Sequence, residues 1–264
     1  MTEPYRFPIL LLVSRKDIAG MNIFQFINDQ LQEQTVIIEN DSIYSDEEIT
    51  KFVPIETSVI FLSRHSARSL RPSFTVHPIG NFGKAEFGGK DTILGSCQSF
   101  MLKRLILNVR ELANSKNYQF SYEYEISIEV THHGPFSHVP VTFIEVGSSE
   151  SQWKDLEACR LIADTINGTE FDKIDHEDDW VSVIGFGGNH YATKFNKQML
   201  ETEYAFGHIC AKYALPMLNE ELIQQMILKT NPRPEIAFFD KKSMKRKQLI
   251  RSWLSESDID VMQI

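Results

Sequence analysis

The sequence predicts an α/β fold: a single domain with a mostly parallel or mixed sheet flanked by helices. Apolar runs of strand length alternate with longer segments of helical periodicity. No Gly/Ser-rich or Pro-rich linker divides the 264 residues, and no repeat recurs. With 42% apolar and 24% charged residues, the chain is long enough to bury a substantial core.

The elements follow in order. Residues 7–13 form a continuous apolar run, as expected for a strand covered on both faces. Residues 18–31 read as a helix, and 35–39 and 58–63 as strands. Residues 73–77 are a short β run ending at Pro78. The stretch 64–95 is the least regular, and long irregular segments in compact domains are often functional. Residues 99–115 form the strongest helix, with Met101, Leu105 and Leu112 at helical spacing. Residues 122–130 alternate in the manner of a half-buried strand. A strand at 141–146 precedes a helix at 149–166, for which Ser148 or Ser149 is a suitable N-cap. Strands at 180–184 and 235–239 bracket a helix at 219–229. A basic helix at 241–254 completes the pattern.

Composition excludes several classes. No stretch approaches the roughly 20 apolar residues of a membrane span. The start, Met1-Thr2-Glu3-Pro4, lacks the basic and apolar regions of a signal peptide. Cys97, Cys159 and Cys210 are an odd set without a close pair, which rules out a disulfide framework and a Cys-based zinc knuckle. They read as buried apolar residues of a chain in a reducing cytoplasm. A net charge of −9 argues against broad coating of nucleic acid. Locally, Lys241, Lys242, Lys245, Arg246, Lys247 and Arg251 occur without an intervening acid. In a helix, Leu249, Ile250, Trp253 and Leu254 would face inward. The bases would then form either a solvated face or a phosphate-contacting patch.

Histidine placement carries the chemistry. His65, His77, His132, His133 and His190 each fall at or just after the C-terminal end of a predicted strand. Open α/β sheets bind ligands outside those ends, so parallel strands would bring these residues together. Imidazole titrates near neutrality and binds metals when neutral. Neighbours in a strand point to opposite faces, so His132 and His133 share a site only if Gly134-Pro135 turns the chain. Glu145, in otherwise apolar company, needs a partner such as an imidazole, a metal or a backbone group. His138, His176 and His208 lack such context, and His176 reads as solvated acidic surface. Gly185-x-Gly187-Gly188 lacks the full dinucleotide fingerprint, and there is no P-loop, HExxH or GxSxG.

Ser63-Arg64-His65-Ser66, Thr75-Val76-His77 with Gly80-Asn81-Phe82, His132-His133-Gly134-Pro135, Phe143-Ile144-Glu145-Val146-Gly147-Ser148 and Gly185-Phe186-Gly187-Gly188-Asn189-His190-Tyr191 together resemble the archaeal and plant type of D-aminoacyl-tRNA deacylase. Thr193 stands where that family usually has proline. The resemblance covers most of the chain and implies a zinc-using cytoplasmic ester hydrolase. Its substrate would be tRNA mischarged with a D-amino acid, such as D-Tyr-tRNA, so that D-amino acids stay out of protein. It also implies a fold similar to the phosphorylase and peptidyl-tRNA hydrolase type.

His132, His133 and His190 are then the expected catalytic residues and, with Glu145, the expected metal ligands. Expected substrate contacts are His65, His77, Asn81, Gly134, Gly187, Gly188, Asn189, Tyr191, Lys194, Lys241, Lys242, Lys245 and Arg246. Water would be activated by zinc, or by a neutral histidine with the Gly187 and Gly188 amides or Asn189 as oxyanion donors. A monomer without membrane attachment is expected. The alternatives are a peptidyl-tRNA hydrolase or nucleoside-cleaving enzyme on the same architecture, or a non-catalytic zinc- or RNA-binding module.

Overall fold

A computed structural model describes residues 9–41, 57–176, 179–241 and 246–264, with 175 and 176 described by their backbone alone. Strand β1 (Ile9–Ser14) leads to helices α1 (Ile18–Phe24) and α2 (Asp29–Gln32), then to β2 (Thr35–Ile38) and β3 (Ser58–Ser66). The helix read at 18–31 is broken because Asn28 starts a second one, its side chain accepting from the Leu31 amide at 3.0 Å. Asp17 caps α1 in the same way through the Gly20 amide.

Next come β4 (Ser73–Pro78), β5 (Cys97–Gln98), α3 (Ser99–Asn114), β6 (Glu125–Ile128) and β7 (Val141–Ser148). The helix read at 149–166 is also two pieces, α4 (Glu150–Trp153) and α5 (Leu156–Asn167), because Asp155 caps the second. Strand β8 (Val181–Phe186), helix α6 (Thr193–Glu201) and strand β9 (Tyr204–Cys210) follow. Helix α7 (Glu220–Leu228), strands β10 (Thr230–Asn231) and β11 (Ile236–Phe239), helix α8 (Lys247–Leu254) and strand β12 (Asp260–Gln263) complete the described chain.

Two principal sheets form. One is six-stranded, in the order β2-β1-β3-β7-β4-β6; the other is four-stranded, in the order β12-β11-β8-β9. The second is wholly parallel. The first is mixed, because β4 pairs antiparallel with β7 and parallel with β6. One apolar cluster spans both sheets, joining Leu11, Ile60, Phe74 and Ile144 to Val183, Phe206 and Phe238. Backbone hydrogen bonds close the seam: Val130 N donates to His190 O and Thr131 N to Ile209 O, each at 3.0 Å.

Sequence patterning assigns nothing to α6 or β9. Helix α6 buries only Phe195 and Met199, and β9 is interrupted by Gly207 and His208. Gly207 is required there, since a Cβ would lie 2.4 Å from the Thr230 methyl. In α8, Ile250 and Leu254 are buried and Trp253 half-buried, but Leu249 faces solvent, correcting the predicted stripe.

Lys103 is the costly residue of this interior. Its ammonium is buried on α3 and donates to the carbonyls of Met199, Thr202 and Tyr204 at 2.6, 2.6 and 3.2 Å, closing the end of α6. Burial, aided by Arg110, lowers it to about 8. Lys103→Met leaves those carbonyls unpaired and should cost about 1–3 kcal/mol of stability. Urea unfolding with an unchanged midpoint would refute the importance of this ammonium.

Candidate active site

Alternation and register place one set of side chains on a single face of the six-stranded sheet. Glu145 on β7 sits opposite Ser63 of β3 and Thr75 of β4, and His65 and His77 lie two residues further along those strands. Because β4 runs against β7, these residues meet across the sheet rather than at a common carboxyl edge, which corrects the parallel-strand expectation. Gly147 makes the approach possible: a Cβ there would lie 2.5 Å from that of His65.

Two loops cover this face. The chain after β6 brings Glu129, His132 and His133, and the loop after β8 brings His190 and Tyr191 across the seam. His133 has a φ of 43°, a left-handed turn that directs both neighbouring imidazoles to the same place, with ring centroids 4.4 Å apart. Glu129, absent from the expected set, is wholly buried at the centre. It lies within an alternating pattern whose polar face, by sequence alone, reads as solvated. The spacing Glu129-x-x-His132 is the available signal.

The contacts are dense. Glu129 Oε2 accepts from His190 Nε2 at 3.0 Å and lies 3.4 Å from His132 Nε2. Its Oε1 lies 3.0 Å from His65 Nδ1, but the angle is too poor for a hydrogen bond, so that oxygen has no partner. Glu145 Oε2 accepts from Thr75 at 3.0 Å and lies 3.3 Å from His65 Nδ1 and 3.7 Å from His77 Nε2. His65 Nε2 meets the Tyr191 hydroxyl at 3.2 Å.

Burial opposes every charge here, and the pairing decides the outcome. For His65, Glu145 and Glu129 overcome burial and raise the imidazole to about 10. For Glu145, the nearby imidazoles of His65 and His77 outweigh burial and hold the carboxyl well below its ordinary range. Glu129 is lowered against burial by His190, His65 and His77. Burial and neighbouring imidazoles push His132 well down and His133 to about 4, so both are neutral.

Among the described residues, three groups have ligand spacing: His77, His132 and His133; Glu129, His132 and His190; and His65, Glu129 and Glu145. In the first, each Nδ1 faces a backbone carbonyl: Pro78 at 3.1 Å, Val130 at 2.8 Å and Gly134 at 2.6 Å. That pattern directs each Nε2 lone pair inward as a donor. His77 Nε2 and Glu129 Oε1 are buried without hydrogen-bond partners, which a cation would supply.

The cluster floors a cleft of about 790 Å³, whose lining includes His65, Asn81, His132, His133, Glu145 and His190. His77 is fully buried behind it. Gly134 and Tyr191 act through neighbours, Gly134 N donating to Phe87 O and Tyr191 bonding His65. Other expected contacts are occupied elsewhere. Gly187 N donates to Cys210 O, Gly188 O accepts from Lys212 N, Asn189 Oδ1 accepts from Thr193, and the residues lining the cleft do not include these three. Lys194 is paired with Asp240 at 2.7 Å. The Arg246 guanidinium donates to the carbonyls of Leu215, Pro216 and Leu218, so its role is structural. Lys241 is exposed, while Lys242 and Lys245 lie outside the described residues. His208, without context in the sequence, bridges Thr131 and Gly95 O, and burial lowers it to about 3.

Comparison with known proteins adds an independent line. A family model described as D-aminoacyl-tRNA deacylase matches residues 54–262. A D-aminoacyl-tRNA deacylase of Archaeoglobus fulgidus is 32% identical, covering 94% of this chain and 86% of that one. A Thermococcus kodakarensis protein of the same description is 34% identical, covering 96% and 99%. A crystal structure of a conserved protein of unknown function superposes with a TM-score of 0.84 at 31% identity, covering 97% and 95%.

The His65 pairing has a definite pH signature in the metal-free chain. Its folded value of about 10 exceeds the unfolded value near 6.5. The pairing's contribution to stability is therefore complete below about pH 6.5 and is lost as pH rises through about 10. Nitrogen-15 NMR should show both His65 ring nitrogens protonated at pH 7.5; a neutral ring there contradicts the pairing.

Proposed function

The chain belongs to the D-aminoacyl-tRNA deacylase family, and on that premise we propose how its cleft divides the work of hydrolysis. The enzyme hydrolyses the ester joining a D-amino acid to tRNA. D-Tyr-tRNA is its proposed substrate and the cytoplasm its proposed place of action. Among the described residues, no helix is long and apolar enough to cross a membrane.

His77, His132 and His133 are the proposed zinc ligands. The observation that carries this is the tethering of all three Nδ1 atoms to carbonyls, beside the unpartnered His77 Nε2. Three imidazoles suit a catalytic zinc site that keeps a position open. Zinc held there would act as a Lewis acid on the ester carbonyl and the attacking water. Glu145 favours a proton on His77, so proton and cation compete for that nitrogen. This assigns His190 and Glu145, expected as ligands, to proton handling and orientation instead.

His190 is the proposed base. Its Nε2 is held by Glu129 Oε2, leaving Nδ1 to take a proton from water as oxygen attacks the ester carbon. As the carbon–oxygen bond to ribose breaks, the same nitrogen returns the proton to the leaving oxygen. Glu129 fixes the tautomer and favours the transient imidazolium, while Glu145 and Tyr191 hold His65 beside it.

Lys241, Lys247 and Arg251 are the proposed phosphate contacts. Lost hydration and the charges of Arg251 and Lys241 together lower the Lys247 ammonium, which marks a local concentration of positive charge.

His190→Ala should lower kcat for D-Tyr-tRNA by about 10²–10⁴-fold with little change in melting temperature. Normal turnover would remove His190 from the reaction. His133→Ala should lose bound zinc by elemental analysis; full zinc occupancy would exclude it as a ligand. Replacing Lys247 and Arg251 by Ala should raise KM for tRNA and flatten its salt dependence, by about 0.7–0.9 in logarithmic slope for each phosphate no longer neutralised. An unaltered slope would return that helix to a solvated role.

A further inference from the structure

The mouth of the cleft is built differently from its floor. Phe87 and Tyr213 line it, 60% and 58% exposed as residues, and Met217, 46% exposed, stands with them. Large apolar side chains left this open in a cleft mark a surface that a ligand covers.

None of the three hangs loosely. Phe87 O accepts from Gly134 N at 2.9 Å, which ties its backbone to the turn that carries His132 and His133. Asn81 holds the neighbouring Gly88 carbonyl at 2.9 Å. Tyr213 straddles floor and mouth: the residue is largely exposed, yet burial of its phenol, with smaller effects from Cys210 and Glu129, raises that group. Met217 packs over Gly83, and its segment is clamped by the three bonds from Arg246.

Charge at this rim is mixed: Glu86 lines the cleft beside Phe87, and basic groups stand around it. Lys84 lines the cleft, Lys212 is exposed beside Tyr213, and the Arg246 clamp joins the rim to the basic face of α8. A ligand with a flat apolar ring, an ester linkage and flanking phosphates fits that order of surfaces.

We infer that Phe87, Tyr213 and Met217 seat the purine ring of the 3′-terminal nucleotide, presenting its ribose ester to His190. The inference rests on the deacylase reading and deepens it. Stacking on an aromatic ring contributes enough per base to change affinity about tenfold or more. Such a seat reads the ring and not the rest of the tRNA.

The test has two arms. Calorimetry with 5′-AMP measures the seat without any reaction; Phe87→Leu and Tyr213→Leu should each weaken binding about tenfold, and Tyr122→Leu, an exposed aromatic outside the cleft, should not. Hydrolysis of D-tyrosyl-adenosine and of D-tyrosine methyl ester then measures use of the seat. The wild-type kcat/KM ratio should favour the adenosine ester at least tenfold, and the two cleft variants should bring that ratio toward one. AMP binding untouched by either variant, or a wild-type ratio near one, overturns the seat. Failure of the wild type to cleave D-Tyr-tRNA, with AMP binding still weakened in the variants, overturns the deacylase reading and leaves the seat standing.

Discussion

Two carboxylates, Glu129 and Glu145, are buried in one place, and the partners that answer them are imidazoles and a threonine hydroxyl. A carboxylate is tolerated in an interior only with such partners. Their number is the informative part. His65 lies within 3.3 Å of both acids, His190 and His132 approach Glu129, and His77 approaches Glu145. Removing one acid would therefore take the buried counter-charge from more than one imidazole at once.

The reversal of β4 makes this crowding possible. In a wholly parallel sheet, the histidines ending each strand would line one edge, open to water. Because β4 runs against β7, Thr75 lies opposite Glu145 and His77 opposite Phe143, in mid-sheet. Covering loops then supply Glu129, His132, His133 and His190 from above. The result is a floor of low polarity, where charge pairs act more strongly than at a sheet edge.

Much of this is legible in the residues. Continuous apolar runs identify β1 and β3, and periodicity identifies α3. The histidines stand out as a set because each follows a β pattern. The remainder is hidden for physical reasons. The direction of β4 depends on pairing with β7, which no local pattern encodes. Glu129 occupies the polar phase of an alternating strand, and only tertiary cover makes that face interior. Arg246 and Lys194 are expected from the sequence to meet substrate, yet each is engaged with partners distant in sequence. The Gly187 amide reads as free, but β9, which has no clear sequence pattern of its own, supplies its acceptor at Cys210.

The seam between the sheets has a consequence for how the enzyme comes into being. Domains form during synthesis from the amino terminus onward. A growing chain that has completed β1 to β7 already holds Glu129, Glu145, His65, His77, His132 and His133. It lacks His190, and it lacks the Ile209 carbonyl that anchors Thr131. Until the second sheet docks, Glu129 lacks the His190 imidazole that donates to it, so the cluster is incomplete. The full cluster therefore exists only when both sheets are present and packed on their shared core.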